Sequence, residues 1–352
     1  MNNYNKIKNF TLIIISTLFL FILINIIISL VWYSYNELVT SKKNLLPKEV
    51  RNNFILSDDD QKKLQHESSL IRYKYEPFVG PITAEASGQF INVDSDMGRL
   101  INNNNNCAQN IYFFGGSTTF GWLSIDTKTI PAEFKKILEK DNKNNVCVFN
   151  FGQPWFYSKQ ENNYFVNLIE KGHKPDIAIF LNGINERCHG HDLQSNIINE
   201  FDKLNVKHRT FITTNNLKNL ISSLPIFQLI QRVKEKKLIN QDMDKDCSPQ
   251  DNIVELYEQR LELRDGICMI NNINCYTFLQ PFGLVNGNIY YTNDLDMKWM
   301  KSHYNNLIQT TSAINITDAL DNKSDKINYV DGVHYSHEAN KFIAETIYQK
   351  LY

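Results

Sequence analysis

The chain has 352 residues, of which 42% are hydrophobic and 21% charged, and 38 acidic residues against 37 basic ones leave a formal net charge of −1. That composition is ordinary for a globular protein and sets aside collagen-like and disordered classes. Near-neutral charge with no basic field gives no electrostatic footprint for nucleic acid.

Residues 2–9 are polar, with Lys6 and Lys8, and Phe10 to Trp32 then carries no charged residue and is dominated by Leu, Ile and Phe. About 20 apolar residues span a bilayer. A cleaved leader has a shorter apolar core and a small-residue cleavage site, whereas here the flank is Val31-Trp32-Tyr33-Ser34-Tyr35, with interfacial aromatics. The expectation is an uncleaved anchor over residues 1–36, spanning at about 10–32. Lys42, Lys43, Lys48 and Arg51 outnumber the two lysines before the span. The basic residues nearest the span are nevertheless the N-terminal ones, and large following domains translocate largely regardless of charge. The domain after the span is therefore expected outside the cytoplasm.

Residues 37–105 read as a charged helical or loose stalk followed by an extension, where Pro77, Gly80, Pro81 and Gly88 break an aromatic-rich stretch into short strands and loops. From residue 106 to 352 strands and helices alternate. Strands are predicted at Ile111–Phe114, Val146–Phe151, Asp176–Leu181 and Ile273–Leu279, and helices at Pro131–Lys140, Lys159–Lys171 and Glu338–Leu351. Such alternation implies a parallel sheet with right-handed crossovers, an α/β fold. The long stretch between strands three and four exceeds an ordinary connection, so 187–250 reads as an insertion bordering the site.

Parallel strands deliver their C-terminal ends to one edge. Gly115-Gly116-Ser117 follows strand one, Gly152 follows strand two, Gly183-Ile184-Asn185-Glu186 follows strand three, and Asp331-Gly332-Val333-His334 precedes the last helix. A nucleophile needs a base within hydrogen-bond reach, and the base needs an orienting group. Ser117 supplies the hydroxyl, His334 the imidazole and Asp331 the carboxylate. The N–H groups of Ser117 and Gly152 and the Asn185 amide are candidate donors to an oxyanion. Trp155, Phe156 and Tyr157 follow Gly152 and either line a pocket or pack the loop; Trp155, Tyr157 and Gln280 are the pocket candidates. Cys188-His189-Gly190-His191-Asp192 has zinc-ligating types, but no second ligand group is evident, and it reads as a polar loop near the site mouth.

These blocks resemble the SGNH hydrolases, the GDSL-type esterases and lipases. Ser117, Gly152, Asn185 and His334 match the four marker residues in order and in strand-end placement, over about residues 110–352 less the insertion. Gly116 departs from the family's aspartate before the serine, and Glu186 from the aspartate after the asparagine. The resemblance implies a flavodoxin-like three-layer α/β/α domain, behind one N-terminal transmembrane helix, with ester chemistry that needs neither cofactor nor metal. Its substrate class would be an acylated glycan or lipid, and membrane contact would run through the N-terminal helix. The polar insertion and the anchor favour a short acyl group, acetyl first, on a glycan. Hydrolysis is expected ahead of transfer to a sugar hydroxyl, the alternative the family also contains, because no second membrane domain is evident to deliver an acyl donor. A non-catalytic glycan-binding or envelope-assembly protein on the same fold is the reading from another class, against which the intact Ser117, Asp331 and His334 stand. Six cysteines permit disulfides. Cys268 and Cys275 bracket a helix-to-strand turn, and Cys107 and Cys147 flank neighbouring strands, but spacing does not fix the pairing.

Overall fold

The structure is a computed structural model that describes residues 2–43, 56–103, 107–186, 253–283, 294–321 and 328–352. The described residues fall into two units. The first contains helix α1, Asn2–Lys43. Within it, Lys8–Val31 is long and apolar enough to cross a membrane. Phe10, Leu12, Ile13, Leu18, Phe19 and Val31 are all exposed, so the apolar surface runs around the helix and leaves no solvent face. Two of its polar side chains donate back to the backbone: Thr17 Oγ1 to the Ile13 carbonyl (2.8 Å) and Asn25 Nδ2 to that of Phe21 (2.9 Å). The expected end at residue 36 falls inside this helix. The side chains of Trp32, Tyr33 and Tyr35 lie outside the described residues.

The second unit opens with α2 (Asp58–Leu70). Its N-cap is Ser57, whose hydroxyl accepts from the Asp60 N–H at 3.2 Å. Strands β1 (Tyr73–Glu76) and β2 (Gly80–Thr83) form a separate antiparallel hairpin. Then come β3 (Ala86–Ser87), β4 (Asn92–Asp94), β5 (Gly98–Arg99), β6 (Gln109–Gly115), the single turn α3 (Ser117–Phe120), α4 (Ile130–Lys140), β7 (Val146–Asn150) and α5 (Ser158–Glu170). They are followed by β8 (Ile177–Asn182), α6 (Ile253–Asn271), β9 (Asn274–Leu279), α7 (Asp294–Thr310), β10 (Ile314–Asn315) and α8 (His337–Leu351).

One sheet runs in the order β10-β9-β8-β6-β7-β5-β4-β3. From β10 to β5 all pairings are parallel, and β4 and β3 close the edge antiparallel. Ranked by chain position, β7-β6-β8-β9-β10 is the doubly wound order 2-1-3-4-5, which reverses between β6 and β8 and opens its ligand crevice there. The four predicted strands are present, and β10 is a fifth, too short to have shown a pattern. The expected division at residue 106 falls within this sheet, because β3 to β5 extend it.

Side chains alternate across each strand. Ile111 and Phe113 join Phe134, Leu138, Ile343 and Ile347 of α4 and α8 in one core. Tyr112 and Phe114 join Tyr164, Phe165, Leu168 and Cys268 of α5 and α6 in the other. Because both faces are covered, the strands read in sequence as continuous apolar runs. Thr129, at the N-cap of α4, accepts from the Ala132 N–H, with proline in the first turn. The cysteines pair Cys107–Cys147 and Cys268–Cys275, tying the start of β6 to β7 and the end of α6 to β9.

Arg99 joins the edge strands to the turn after β6. Fully buried, it donates to Asp126 (2.9 Å) and to the carbonyls of Phe120 (2.8 Å), Gly121 (2.6 Å) and Ser124 (2.5 Å). A rigid, multi-donor guanidinium suits several carbonyls left over at the end of a helical turn.

Candidate active site

Strand β6 ends at Gly115, whose φ of 153° lies outside the range that favours a side chain. A Cβ there would sit 2.1 Å from Thr119 Oγ1 and 2.9 Å from the Leu181 carbonyl oxygen. Glycine is therefore required where β6 passes into α3, and Ser117 opens that turn at the C-terminal edge beside the switch point.

Ser117 Oγ lies 2.8 Å from His334 Nε2, and His334 Nδ1 lies 2.7 Å from Asp331 Oδ2. A carboxylate only accepts, so Nδ1 carries the ring proton and Nε2 is left to accept from the serine hydroxyl. Asp331 Oδ1 also accepts the N–H groups of Val333 and His334, each at 2.7 Å. Partial burial works against the charge on Asp331, but these hydrogen bonds and the facing imidazole outweigh it and hold the carboxyl below its usual value of 3.8. The loop itself is pinned by the Tyr329–Tyr335 bridge, with Val330 N–H donating to the His334 carbonyl at 2.8 Å.

The other expected donors surround Ser117. A Cβ on Gly116 would meet Asn185 Nδ2 at 2.6 Å, so the Asn185 amide lies against the nucleophile turn. One of its protons goes to the Phe156 carbonyl (2.8 Å), and the second is left to donate. Gly152 stands differently from expectation. Its N–H donates to Asn150 Oδ1 at 3.0 Å. A Cβ on it would lie 2.3 Å from the Phe120 nitrogen. Gly152 thus permits close backbone approach, and its N–H reaches an oxyanion only by sharing the proton that Asn150 holds.

Of the pocket candidates, Trp155 is 51% exposed and held at φ 71°, a strained conformation for a large side chain. Tyr157 is buried, with the Arg260 guanidinium 5.3 Å from its ring centre. Gln280 is buried at 2% exposure and bonded to protein on every side, so it faces the core and not the mouth. The insertion 187–250 and the Cys188–Asp192 stretch lie outside the described residues.

Two features carried no sequence signal, and a third showed only as a departure from the family pattern. Trp122 sets its ring 6.4 Å from that of His334. Asn150 Nδ2 latches the Thr119 carbonyl at 2.9 Å. Glu186, the departure noted after Asn185, is buried and accepts from Ser158 N–H (2.5 Å), Ser158 Oγ (2.9 Å) and Arg260 (3.4 Å). It joins the Asn185 turn to the start of α5, and its length suits that span. Burial pushes its carboxyl up, against the pull of the Ser158 bonds and Arg260.

No protein-family model matches this chain, and no curated protein matches it. Among solved structures, it is similar to the acetyl xylan esterase AlAXEase, with 10% identity and TM-score 0.39 over 69% of this chain and 100% of that one. It is similar also to Axe2, an acetylxylan esterase from Geobacillus stearothermophilus, with 12% identity and TM-score 0.38 over 70% and 95%. A two-domain esterase (CEX) active on acetylated mannans aligns at 13% identity and TM-score 0.38 over 70% of this chain and 49% of that one. These scores lie below 0.5.

The Asp331 geometry has a pH signature. A carboxyl whose folded value is lowered adds stability that is present above the unfolded value and is lost as pH falls through the folded one. Proton NMR should therefore show a far-downfield His334 Nδ1 resonance at neutral pH that persists as pH falls to the ordinary aspartate value. Asp331→Asn should abolish it; its survival in that variant would place the proton elsewhere.

Proposed function

We propose that this chain is a serine ester hydrolase of the SGNH type, held at a membrane by α1. The observation that carries the reading is the hydrogen-bonded series Asp331–His334–Ser117, at 2.7 and 2.8 Å, standing at the edge where the sheet order reverses.

The chemistry follows from the donors and acceptors. Ser117 Oγ attacks the ester carbonyl carbon while its proton passes to His334 Nε2. The developing imidazolium is stabilised by Asp331, which stays ionised. The carbonyl oxygen becomes an oxyanion facing the Ser117 N–H and the free Asn185 amide proton. Collapse breaks the bond to the alkoxy group, which takes the proton from His334, and an acyl group remains on Ser117. Water, deprotonated by His334, releases the acid and restores the serine. No cofactor or metal enters this sequence.

Support for a short acyl group on a hydroxyl-rich partner comes from aromatic side chains: Trp122 beside His334 and the half-exposed Trp155, three residues after Gly152, offer flat apolar faces of the kind sugar rings stack on. The two disulfides among the described residues suit an oxidising compartment and support an extracytoplasmic position for the domain.

A fluorophosphonate should label Ser117, and Ser117→Ala and His334→Ala should each lower aryl acetate turnover by several orders of magnitude, since such groups act as a unit. Undiminished turnover in Ser117→Ala would end the mechanism. Asn185→Ala should lose roughly 10²–10³ in kcat, the usual effect of one oxyanion donor; an unchanged kcat would leave Asn185 as a turn residue only.

Acetyl esters should be cleaved faster than octanoyl esters, with free acid as product when an acceptor oligosaccharide is added. The reverse order would indicate a lipase, and acylated oligosaccharide would indicate a transferase. In whole cells, a cysteine introduced after residue 43 should react with a membrane-impermeant thiol reagent. Reaction only after lysis would put the domain on the cytoplasmic side.

A further inference from the structure

We propose that Gln280 is the positioning residue that sets nucleophile and base at their working distance; this rests on the serine-hydrolase reading. Gln280 follows β9 and is 2% exposed. Its Oε1 accepts from Thr118 Oγ1 at 2.7 Å and faces the Tyr335 hydroxyl at 3.1 Å. Its Nε2 donates to the Leu181 carbonyl at 3.3 Å. Thr118 is the residue after Ser117. Tyr335 is the residue after His334. Leu181 pairs with Gly115 in the sheet and leads into the turn that carries Asn185. One side-chain amide therefore touches the chain next to the nucleophile, next to the base and before the oxyanion turn, across sequence separations of 162, 55 and 99 residues.

The residue type fits that task. The amide oxygen can accept from two donors, and one of the two amide N–H groups donates to Leu181. Glutamate keeps the acceptor and loses the donor; leucine loses both, leaving the Thr118 hydroxyl and the Leu181 carbonyl buried without this partner. The main chain of Gln280 is itself fixed, its N–H donating to the Asn182 carbonyl at 3.2 Å and its carbonyl accepting from the buried Tyr304 hydroxyl. The hub is thus rigid with respect to the sheet, while Ser117 and His334 sit on separate loops that reach it from two sides. The single Tyr335 hydroxyl proton has the Pro281 carbonyl as a competing acceptor, so the Thr118 bond is the firmer of the two at Oε1. Gln280 touches neither Ser117 nor His334; it acts through their neighbours. Reaction rates fall about 10²-fold for misplacements near 1 Å, so slackening at these neighbours would reach the chemistry.

The test uses the full chain in detergent, with aryl acetate as substrate. Gln280→Leu, Gln280→Glu, Thr118→Val and Tyr335→Phe are compared with Ile347→Val, a core substitution on α8 that removes none of these hydrogen bonds. Gln280→Leu should lower kcat roughly 10- to 100-fold, with KM within twofold and a shifted acid limb of the kcat/KM profile. Ile347→Val should lower Tm and leave kcat, KM and that profile alone. Thr118→Val should lose part of the same kcat, and adding it to Gln280→Leu should cost nothing more, because the bond is already gone. Two results would overturn the proposal: Gln280→Leu that loses Tm but matches Ile347→Val in kcat and pH profile, or losses of Thr118→Val and Gln280→Leu that simply add. If Gln280→Leu does not fold, Thr118→Val decides alone, and full kcat there overturns the proposal. Absence of turnover in the unaltered chain would overturn the hydrolase reading and this proposal with it, whereas full turnover in the variants would overturn this proposal only.

Discussion

A single imidazole bridges two parts of the chain 217 residues apart: His334 accepts from Ser117 through Nε2 and donates to Asp331 through Nδ1. Everything else in the second unit bears on whether that bridge can form. Ser117 follows the first strand of the doubly wound order, at the switch point. His334 sits on a loop after the last strand, capped onto α8 by Ser336. Only a sheet whose parallel strands all end on one edge brings both to the same place without a long detour. Gly115 and Gly116 then let the nucleophile turn lie flat against its neighbours, where any side chain would collide with Thr119 or with Asn185.

The loops that carry the site are held by buried polar groups, in an arrangement that suits positioning better than raw stability. Arg264, fully buried, donates to Asn162 (2.7 Å), Asn182 (3.1 Å) and Thr277 (2.8 Å) and lies 3.5 Å from Glu161. Burial pushes Glu161 up to about 8, against the opposing pull of Arg264. Asn182, which ends β8 just before the Asn185 turn, is gripped by both. Such groups are costly to bury unless every member is satisfied. Here they tie α5, α6, β8 and β9 to one another just before the Asn185 turn.

Local chemistry made part of this legible in the sequence. Each strand before a glycine showed as an apolar run, and Ser117, Asn185 and the Asp331–His334 pair each stood at a strand end or helix start with its turn residues beside it. What escaped was non-local. Gln280 reads in the sequence as a pocket candidate at a strand end, and its partners Thr118 and Tyr335 lie far from it in the chain. Strand β10 is two residues long and pairs only through its backbone. Strands β3 to β5 have too few residues for alternation to register, so the sheet continues into what reads as an extension. Gly152 reads in the sequence as a strand end and an N–H donor; the Asn150 side chain, two residues earlier, accepts from its N–H, and the packing of the Phe120 nitrogen against it excludes a side chain.

The central claim is that Ser117 becomes acylated. The most direct measurement mixes the full chain with an aryl acetate, quenches in acid within the first turnovers and maps the peptides by mass spectrometry. The account predicts one acetyl group, on the peptide carrying Ser117 and on that serine. Product release with no acetylated enzyme, or acetylation on another residue that persists in Ser117→Ala, would contradict it.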